Sequence, residues 1–383
     1  MKKKFGKQNG KIKILHVIGS FYKGGTEQIS FDILSRLDKG IFDIYVCSLF
    51  NAANTDVMRR FEDKGIKTYV IRSKSKFLNV LQLSFFIKRK GFIIVHTHHY
   101  TSNLYERIAA ILAGTPIVMT YEHNLPVKEK WYHLLVWKFL NLWTKSNVAV
   151  SNSIKGYREK HGIVSINKYK VIYNGIDLQR FNAKKQDIDK LKEDHGIYAN
   201  WIVGIVGRLV DWKRFDLFLE AAAIAIKQRQ DINFIIVGDG EKKEDLENHA
   251  RLLGISDKVK FLGWQTNTEN IYPLMNVFVI TSNEDEGFGL VSVEAMASGI
   301  PIVAVRNQAN QEIITKECGI IVEGKPCDIA GAILKIVGDR SLSNYFSNNG
   351  IERAKELFNI DRTAEELSEL YKKVLEGKKL LIP

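Results

Sequence analysis

Residues 201–239 read "WIVGIVGRLVDWKRFDLFLEAAAIAIKQRQDINFIIVGD". The stretch opens on a Val/Ile-rich run, passes through a turn holding Arg208 and Lys213, continues as an amphipathic segment and ends on a second apolar run. Runs that are continuously apolar, rather than alternating, are strands buried on both faces of a sheet. The segment between them then reads as the crossover helix that a parallel pair requires.

The unit recurs in both directions. Toward the C-terminus the strand signals are "KVKFLG", "NVFVITS", "IPIVAV" and "GIIVE". Toward the N-terminus they are "IKILHVI", "DIYVCSL", "KTYVI", "FIIVHTH", "PIVMTY", "NVAVS" and "YKVIY". Amphipathic stretches separate them almost throughout. Two series of this kind imply an α/β chain of two Rossmann-like, doubly wound parallel-sheet domains facing across a cleft. The charged stretch 174–200 carries no apolar run. The first domain is therefore placed at 1–180, a linker at 181–200 and the second domain at 201–361. The segment "DRTAEELSELYKKVLEGKK" is acidic at its start and basic at its end, as a helix dipole favours. This C-terminal helix, about 362–383, is expected to pack back on the first domain.

A chain of 383 residues, 45% hydrophobic and 26% charged, fits two ordinary folded domains. Cys47, Cys318 and Cys327 are too few and too scattered for a disulfide framework or a zinc site, which suits a reducing, cytoplasmic setting. The start, "MKKKFGKQNGKIKILHVIGS", reads as a basic arm leading into a strand, not a signal peptide. No run is long enough for a membrane span. The net charge of +13 is uneven. Residues 1–180 hold 30 Lys and Arg against 12 Asp and Glu, while the remainder holds 26 against 31. The basic half points to an anionic partner, with membrane and nucleic acid as the two classes to weigh.

Ligands of doubly wound sheets bind in the loops after strands. After the first strand, "GSFYKGGTEQIS" places Gly24-Gly25 before a helix, which reads equally as a plain N-cap turn or as a place where a backbone approaches an anion closely. After "WIVGIVG", Arg208 and Lys213 flank a turn that leads into a helix. Cations gain nothing from the dipole at that end, so they read either as two solvated charges or as the seat of an anionic ligand such as a diphosphate. After "NVFVITS" comes "NEDEGFG", then "LVSVEAMAS" as a helix stopped by Gly299. Glu286 falls in the loop, with Gly287 and Gly289 able to turn backbone N–H groups toward a ligand. Glu294 falls about one turn inside the helix among apolar neighbours, where a carboxyl needs a partner. It would bond the hydroxyls of a ligand or, on the bland reading, face water. Histidines cluster at two strand ends: His96, His98 and His99 in "IIVHTHHY", and His123 in "MTYEHNLP". Period-two spacing puts His96 and His98 on one face. With no carboxylate at ligand spacing, hydrogen bonding to a sugar or acceptor outweighs a metal site.

The segments "GRLVDWKRFDLFLEA", "VGDGEKKEDLE", "FLGW", "ITSNEDEGFGLVSVEAMASGIPIVA" and "VIYNGID" resemble glycosyltransferase family 4, retaining enzymes of GT-B fold. The resemblance spans nearly the whole chain and is densest over 201–323. It implies that Glu294 binds the ribose hydroxyls of a nucleotide-sugar donor and that Glu286 lies near the hydroxyls of the transferred sugar. It implies that the backbone from Gly287 through Phe288 and Gly289 to Leu290 lines the sugar and diphosphate. Arg208 and Lys213 match the pair that neutralises the leaving diphosphate, and Gly25 the glycine-rich loop that closes on the phosphates. His123 matches the active-site histidine, with His98 as a helper and His96 as a core residue. The family usually has glycine after the lysine; Arg214 stands there instead, which bears on the geometry of the turn.

Fixed cations and helix N-termini stabilise a departing diphosphate, so no metal or other cofactor is expected. The strict Asp-x-Asp at Asp187 and Asp189 sits away from any strand end and reads as a solvated face. The expected reaction is α-retaining, metal-independent transfer of a hexose or N-acetylhexosamine, from a UDP-sugar, to a glycan or lipid-linked acceptor. Glu286 is not expected to be a nucleophile, nor the two glutamates a glycosidase pair. Residues 127–146, with Trp131, Trp137 and Trp143 flanked by lysines, read either as a membrane-surface segment or as a helix covering the sheet. Peripheral attachment at the inner face of the cell membrane follows from the first reading. Two other functions use the same observations: a nucleotide-sugar 2-epimerase, which the two glutamates disfavour, and nucleic-acid binding, which no recognition motif supports.

Overall fold

A computed structural model of the chain describes residues 10–22, 24–49, 55–73, 75–98, 100–125, 130–161, 168–181 and 188–378. The basic arm through residue 9, His99 and Asp187 lie outside the described residues. The chain divides into two units, Met1–Gly175 with Ile360–Pro383, and Ile176–Asn359.

The first unit is built on a seven-stranded sheet. Its strands are β1 (Ile12–Ile18), β2 (Phe42–Ser48), β3 (Lys67–Val70), β4 (Ile94–His98), β5 (Ile117–Glu122), β6 (Thr144–Ala149) and β7 (Tyr169–Val171). They lie in the order β3-β2-β1-β4-β5-β6-β7, and every pair is parallel. β4 and β5 are buried along their whole length, as a sheet covered on both faces requires. The order reverses between β1 and β4, the switch point at which such sheets bind ligands. The helix Ile360–Glu376 belongs to this unit. Its apolar stripe, Ala364, Leu367, Leu370, Tyr371, Val374 and Leu375, is buried, and Arg36 pairs with Asp361 at 2.7 Å.

The second unit has six parallel strands: β8 (Trp201–Val206), β9 (Ile232–Val237), β10 (Val259–Gly263), β11 (Val277–Ile280), β12 (Ile302–Val305) and β13 (Gly319–Val322). Their order is β10-β9-β8-β11-β12-β13, with the switch between β8 and β11. The core under this sheet packs Phe218, Phe234, Val279, Val303, Ile333 and Ile336 around the 215–228 and 326–338 helices. The charged stretch expected as a linker lies within this unit. Ile197 is buried, as is Phe181, whose ring meets Tyr272 edge-on at 5.9 Å.

The aromatic stretch after β5 forms the helix Trp131–Leu140, and only Trp137 and Leu140 are buried on it. Trp137 is clamped between two buried guanidiniums, Arg107 at 4.1 Å and Arg158 at 4.3 Å from its ring. Arg158 pairs with buried Glu122 at 2.7 Å. Trp131 (71% exposed) and Phe139 (60%) point outward. The helix therefore does not cover the sheet with its apolar surface, and that half of the sequence expectation is set aside. Two helices away, through the 100–112 helix, the Lys76–Lys90 helix exposes Phe77 and Phe85 as well.

Candidate functional site

In the second unit, the loops leaving β8 and β11 meet at the switch point. The β8 loop is shaped by glycines. A Cβ on Gly238 would sit 1.9 Å from the Gly207 carbonyl oxygen, and one on Gly240 would sit 2.4 Å from that of Leu209. Only glycine lets the β9 end approach so closely, and the Leu209 N–H then bonds the Asp239 carbonyl at 3.0 Å. Arg208 stands exposed at the start of this turn. Lys213 ends a short 3₁₀ turn, Asp211–Lys213.

The next residue, Arg214, has φ 53° and ψ 47°, a left-handed conformation that costs a side chain about 1–2 kcal/mol. It is the one non-glycine with positive φ among the described residues. The turn keeps the geometry that glycine would favour. Arg214 holds it by bonding both carboxylate oxygens of Asp216, at 2.9–3.1 Å.

The β11 loop is tied to this turn. The Thr281 hydroxyl donates to the Lys213 carbonyl at 2.7 Å, and the Asn283 N–H donates to the Trp212 carbonyl at 3.0 Å. Asn307 braces the loop from behind, donating to the Ser282 and Asn283 carbonyls. Lys213 Nζ and Glu286 Oε2 then meet at 2.5 Å, both mostly buried. The cation and the loop carboxylate are one assembly, a pairing that spacing alone did not reveal. Gly289, at φ 85°, caps the Leu290–Ala297 helix with no side-chain cap, so its first N–H groups suit an anion. Phe288 turns inward, edge-on to Phe358 at 5.8 Å, and only its backbone belongs to the loop surface.

Glu294 is the fifth residue of that helix. The Tyr272 hydroxyl donates to its Oε2 at 2.7 Å and sits 3.3 Å from the Val291 carbonyl. Oε1 has no hydrogen-bond partner among the described residues. Glu294 keeps some accessible surface, and burial pushes its carboxyl up to about 7 against the pull of Tyr272 and Arg180. Arg180 itself pairs with Glu269 at 3.0 Å. Sequence reading missed Tyr272 and Arg180, because neither belongs to a strand-end motif. A half-buried carboxyl with a spare oxygen can accept from a ligand hydroxyl.

The first unit places its residues at its own switch point. Gly25 opens the Gly25–Leu34 helix. Glu27 fills that helix start: a Cβ on Gly24 would lie 2.5 Å from its carboxylate, which accepts from the Ser20 hydroxyl at 3.3 Å. His98 and His123 are buried and joined through Nδ1 and Nε2 at 3.0 Å. His96 is fully buried, with Nδ1 2.7 Å from the Tyr371 hydroxyl. The sequence reading omitted two members of this group, His16 and Tyr371. The signal for His16 was its register: β1 lies beside β4 with His16 opposite His96. Nothing in the sequence pointed to Tyr371, 355 residues from His16 and 3.1 Å away.

Two family models match the chain, "Glycosyltransferase Family 4" over residues 23–180 and "Glycosyl transferases group 1" over 187–353. A UDP-Gal:alpha-D-GlcNAc-diphosphoundecaprenol alpha-1,3-galactosyltransferase of Escherichia coli is 28% identical, over 95% of this chain and 97% of that one. The capsular polysaccharide biosynthesis glycosyltransferase CapM of Staphylococcus aureus is 27% identical over 76% of this chain and 80% of its own. Among solved structures, Anabaena HepE in complex with UDP and glucose superposes with a TM-score of 0.85 at 22% identity. The match covers 94% of this chain and all of that one.

Proposed function

The chain belongs to glycosyltransferase family 4, of GT-B fold, and from that premise we propose that it performs metal-independent, α-retaining transfer from a UDP-sugar to a lipid-linked sugar. The activity class is a hexosyltransferase. The observation that carries the donor assignment is Glu294, a half-buried carboxyl with one oxygen on Tyr272 and the other without a partner among the described residues. Two ribose hydroxyls match that need. The sugar end falls to Glu286, which gives up part of its contact with Lys213 to accept from sugar hydroxyls. Lys213, with exposed Arg208, then takes the diphosphate, beside the uncapped N–H groups of the 290–297 helix. As the sugar–oxygen bond breaks, negative charge grows on the diphosphate where these donors already stand. On this reading the leaving phosphate takes the acceptor proton on the same face.

The E. coli relative, by its name, uses UDP-galactose and an acceptor carried on diphosphoundecaprenol. A lipid-linked acceptor also accounts for the exposed Trp131, Leu135, Phe139 and Leu142 beside the lysines of the basic half. That surface suits peripheral contact with an anionic membrane. No helix among the described residues is long and apolar enough to cross one.

The test is transfer from a panel of nucleotide sugars to a GlcNAc-diphospholipid in the presence of EDTA, with the product anomer read by NMR. An α-linked product from a UDP-sugar is expected. Loss of transfer in EDTA, or a β product, contradicts the mechanism.

A further inference from the structure

Two short 3₁₀ turns, Thr268–Asn270 and Tyr272–Leu274, lead the chain into β11. Tyr272 opens the second, and Pro273 follows it and fixes the backbone. The Leu274 N–H bonds the Ile271 carbonyl at 3.0 Å, and the Met275 N–H bonds the Tyr272 carbonyl at 2.9 Å. The Tyr272 ring is fully buried. It meets Phe181 edge-on at 5.9 Å and Phe278 of β11 at 6.0 Å. Backbone and aromatic neighbours together fix where its hydroxyl can be. It lies between two acceptors of the 290–297 helix, Glu294 Oε2 at 2.7 Å and the Val291 carbonyl at 3.3 Å.

A phenol has one proton to give and lone pairs with which to accept. The arrangement therefore serves Glu294 in both of its charge states. When Glu294 is ionised, the hydroxyl donates to Oε2, the shorter contact. When Glu294 carries a proton on Oε2, the carboxyl donates to the hydroxyl oxygen, and the hydroxyl proton turns to the Val291 carbonyl. In either setting Oε2 stays on Tyr272 and the carboxyl keeps one orientation. Burial holds Tyr272 well above the usual tyrosine range, so the hydroxyl keeps its proton throughout. The charged groups that act on Glu294 from neighbouring elements are Arg180 and Glu269, opposite in sign and paired with each other at 3.0 Å.

We propose that Tyr272 is a positioning residue for donor binding: it holds the Glu294 carboxyl in one orientation, neutral or charged, so that the ribose hydroxyls meet Oε1 already aligned. The ribose rests on the donor reading above; the tie between Tyr272 and Glu294 does not. A carboxyl fixed before the ligand arrives loses less freedom on binding. A donor on Oε2 also favours the charged form, which is the better acceptor. A tyrosine that only packed would change stability and leave the pH dependence of UDP binding where it is.

UDP affinity is measured across the neutral and mildly alkaline range in the unsubstituted chain, Tyr272→Phe, Glu294→Ala and the double variant. Phenylalanine keeps the ring and removes the donor. The midpoint of the pH dependence should rise by about one unit, the worth of a hydrogen bond to a charged group. At about pH 7 UDP should then bind roughly tenfold more weakly than to the parent. By about pH 9 Glu294 is ionised in both proteins, and only the loss of orientation should remain, about twofold. In the Glu294→Ala background the same substitution should change UDP affinity by less than about twofold, because Tyr272 acts through the carboxyl. An unmoved midpoint in Tyr272→Phe, or an equal loss in the Glu294→Ala background, would overturn the proposal.

If Tyr272→Phe does not fold, the unsubstituted chain decides. With ¹³C at the tyrosine ζ carbons, one signal should titrate with the Glu294 carboxyl and be silent in Glu294→Gln. UDP at neutral pH should move that signal to its alkaline position. The absence of such a tyrosine overturns the proposal. UDP binding that weakens in Glu294→Ala but keeps its midpoint in Tyr272→Phe sinks this role of Tyr272 alone. Unchanged UDP affinity in Glu294→Ala sinks the ribose reading and this role with it, while the shared titration would still tie Tyr272 to Glu294.

Discussion

Glu294→Gln removes a carboxyl that burial has raised from 4.5 to about 7. The sign of the linkage follows. Between these values the folded chain binds more protons than the unfolded one, so stability falls as pH rises through 7. At about 1.4 kcal/mol per pH unit, ionised Glu294 costs the fold about 3 kcal/mol above pH 8. Glutamine avoids that cost, so the variant should gain stability relative to the parent between pH 5 and pH 8. Ligand binding has the opposite sign. Ribose hydroxyls donating to Glu294 favour its charged form, so UDP should lower its pKa and drive a proton off. About half a proton should be released per UDP at pH 7, and affinity should rise about tenfold from pH 6 to pH 8 as the ionised fraction climbs. Calorimetry in two buffers of different ionisation heat reads the release directly. The Glu294→Gln variant, run in parallel, cancels the titration of UDP's own phosphate. Equal proton release from both proteins would refute the reasoning, because the carboxyl would then not be the ribose acceptor.

Three further outcomes follow from particular contacts. Arg214→Gly sheds a left-handed strain of about 1–2 kcal/mol, offset by a freer unfolded chain and an exposed ion pair of at most about 1 kcal/mol. In urea melts it should therefore lie within about 1 kcal/mol of the parent and above Arg214→Ala; alanine ranking above glycine would contradict the turn geometry. Glu122→Gln removes the carboxylate that pairs with buried Arg158, and should cost about 3–5 kcal/mol in the same assay. Serine at Trp131, Leu135 and Phe139 together should weaken sedimentation with anionic vesicles and spare UDP binding, whereas unchanged sedimentation would remove that surface from the membrane contact.

The apolar runs marked the thirteen strands seen among the described residues, most clearly the central ones, because parallel strands buried on both faces have no polar alternation to confuse them. The exception in extent was β6. It begins at Thr144, three residues before its apolar run, because buried Thr144, Ser146 and Asn147 find partners on Arg107, Lys168 and Thr120. Strand order was legible only as a class, since the sequence carries no record of which strands pair. At the site, strand-end position picked out Lys213, Glu286 and Glu294. Their surroundings were hidden for the same reason in each case. Tyr272 and Arg180 reach Glu294, and Tyr371 reaches the histidines of the first unit, from outside the strand-end motifs, and burial of a carboxyl is a property of packing. The exposed face of the 131–140 helix was undecidable from its composition, because a double guanidinium clamp on Trp137 anchors it where an apolar stripe was the only visible candidate.

The central claim is that two glutamates eight positions apart hold opposite ends of one donor. Affinities for UDP and for the UDP-sugar, measured in Glu286→Ala and Glu294→Ala, separate the two roles. Glu294→Ala should weaken both ligands by about 10–100-fold, the worth of a charged hydrogen bond. Glu286→Ala should bind UDP as well as the parent, since Lys213 is released from its 2.5 Å pair, and should lose whatever affinity the sugar adds. Equal losses of UDP affinity in the two variants, or a loss confined to Glu286→Ala, would contradict the account.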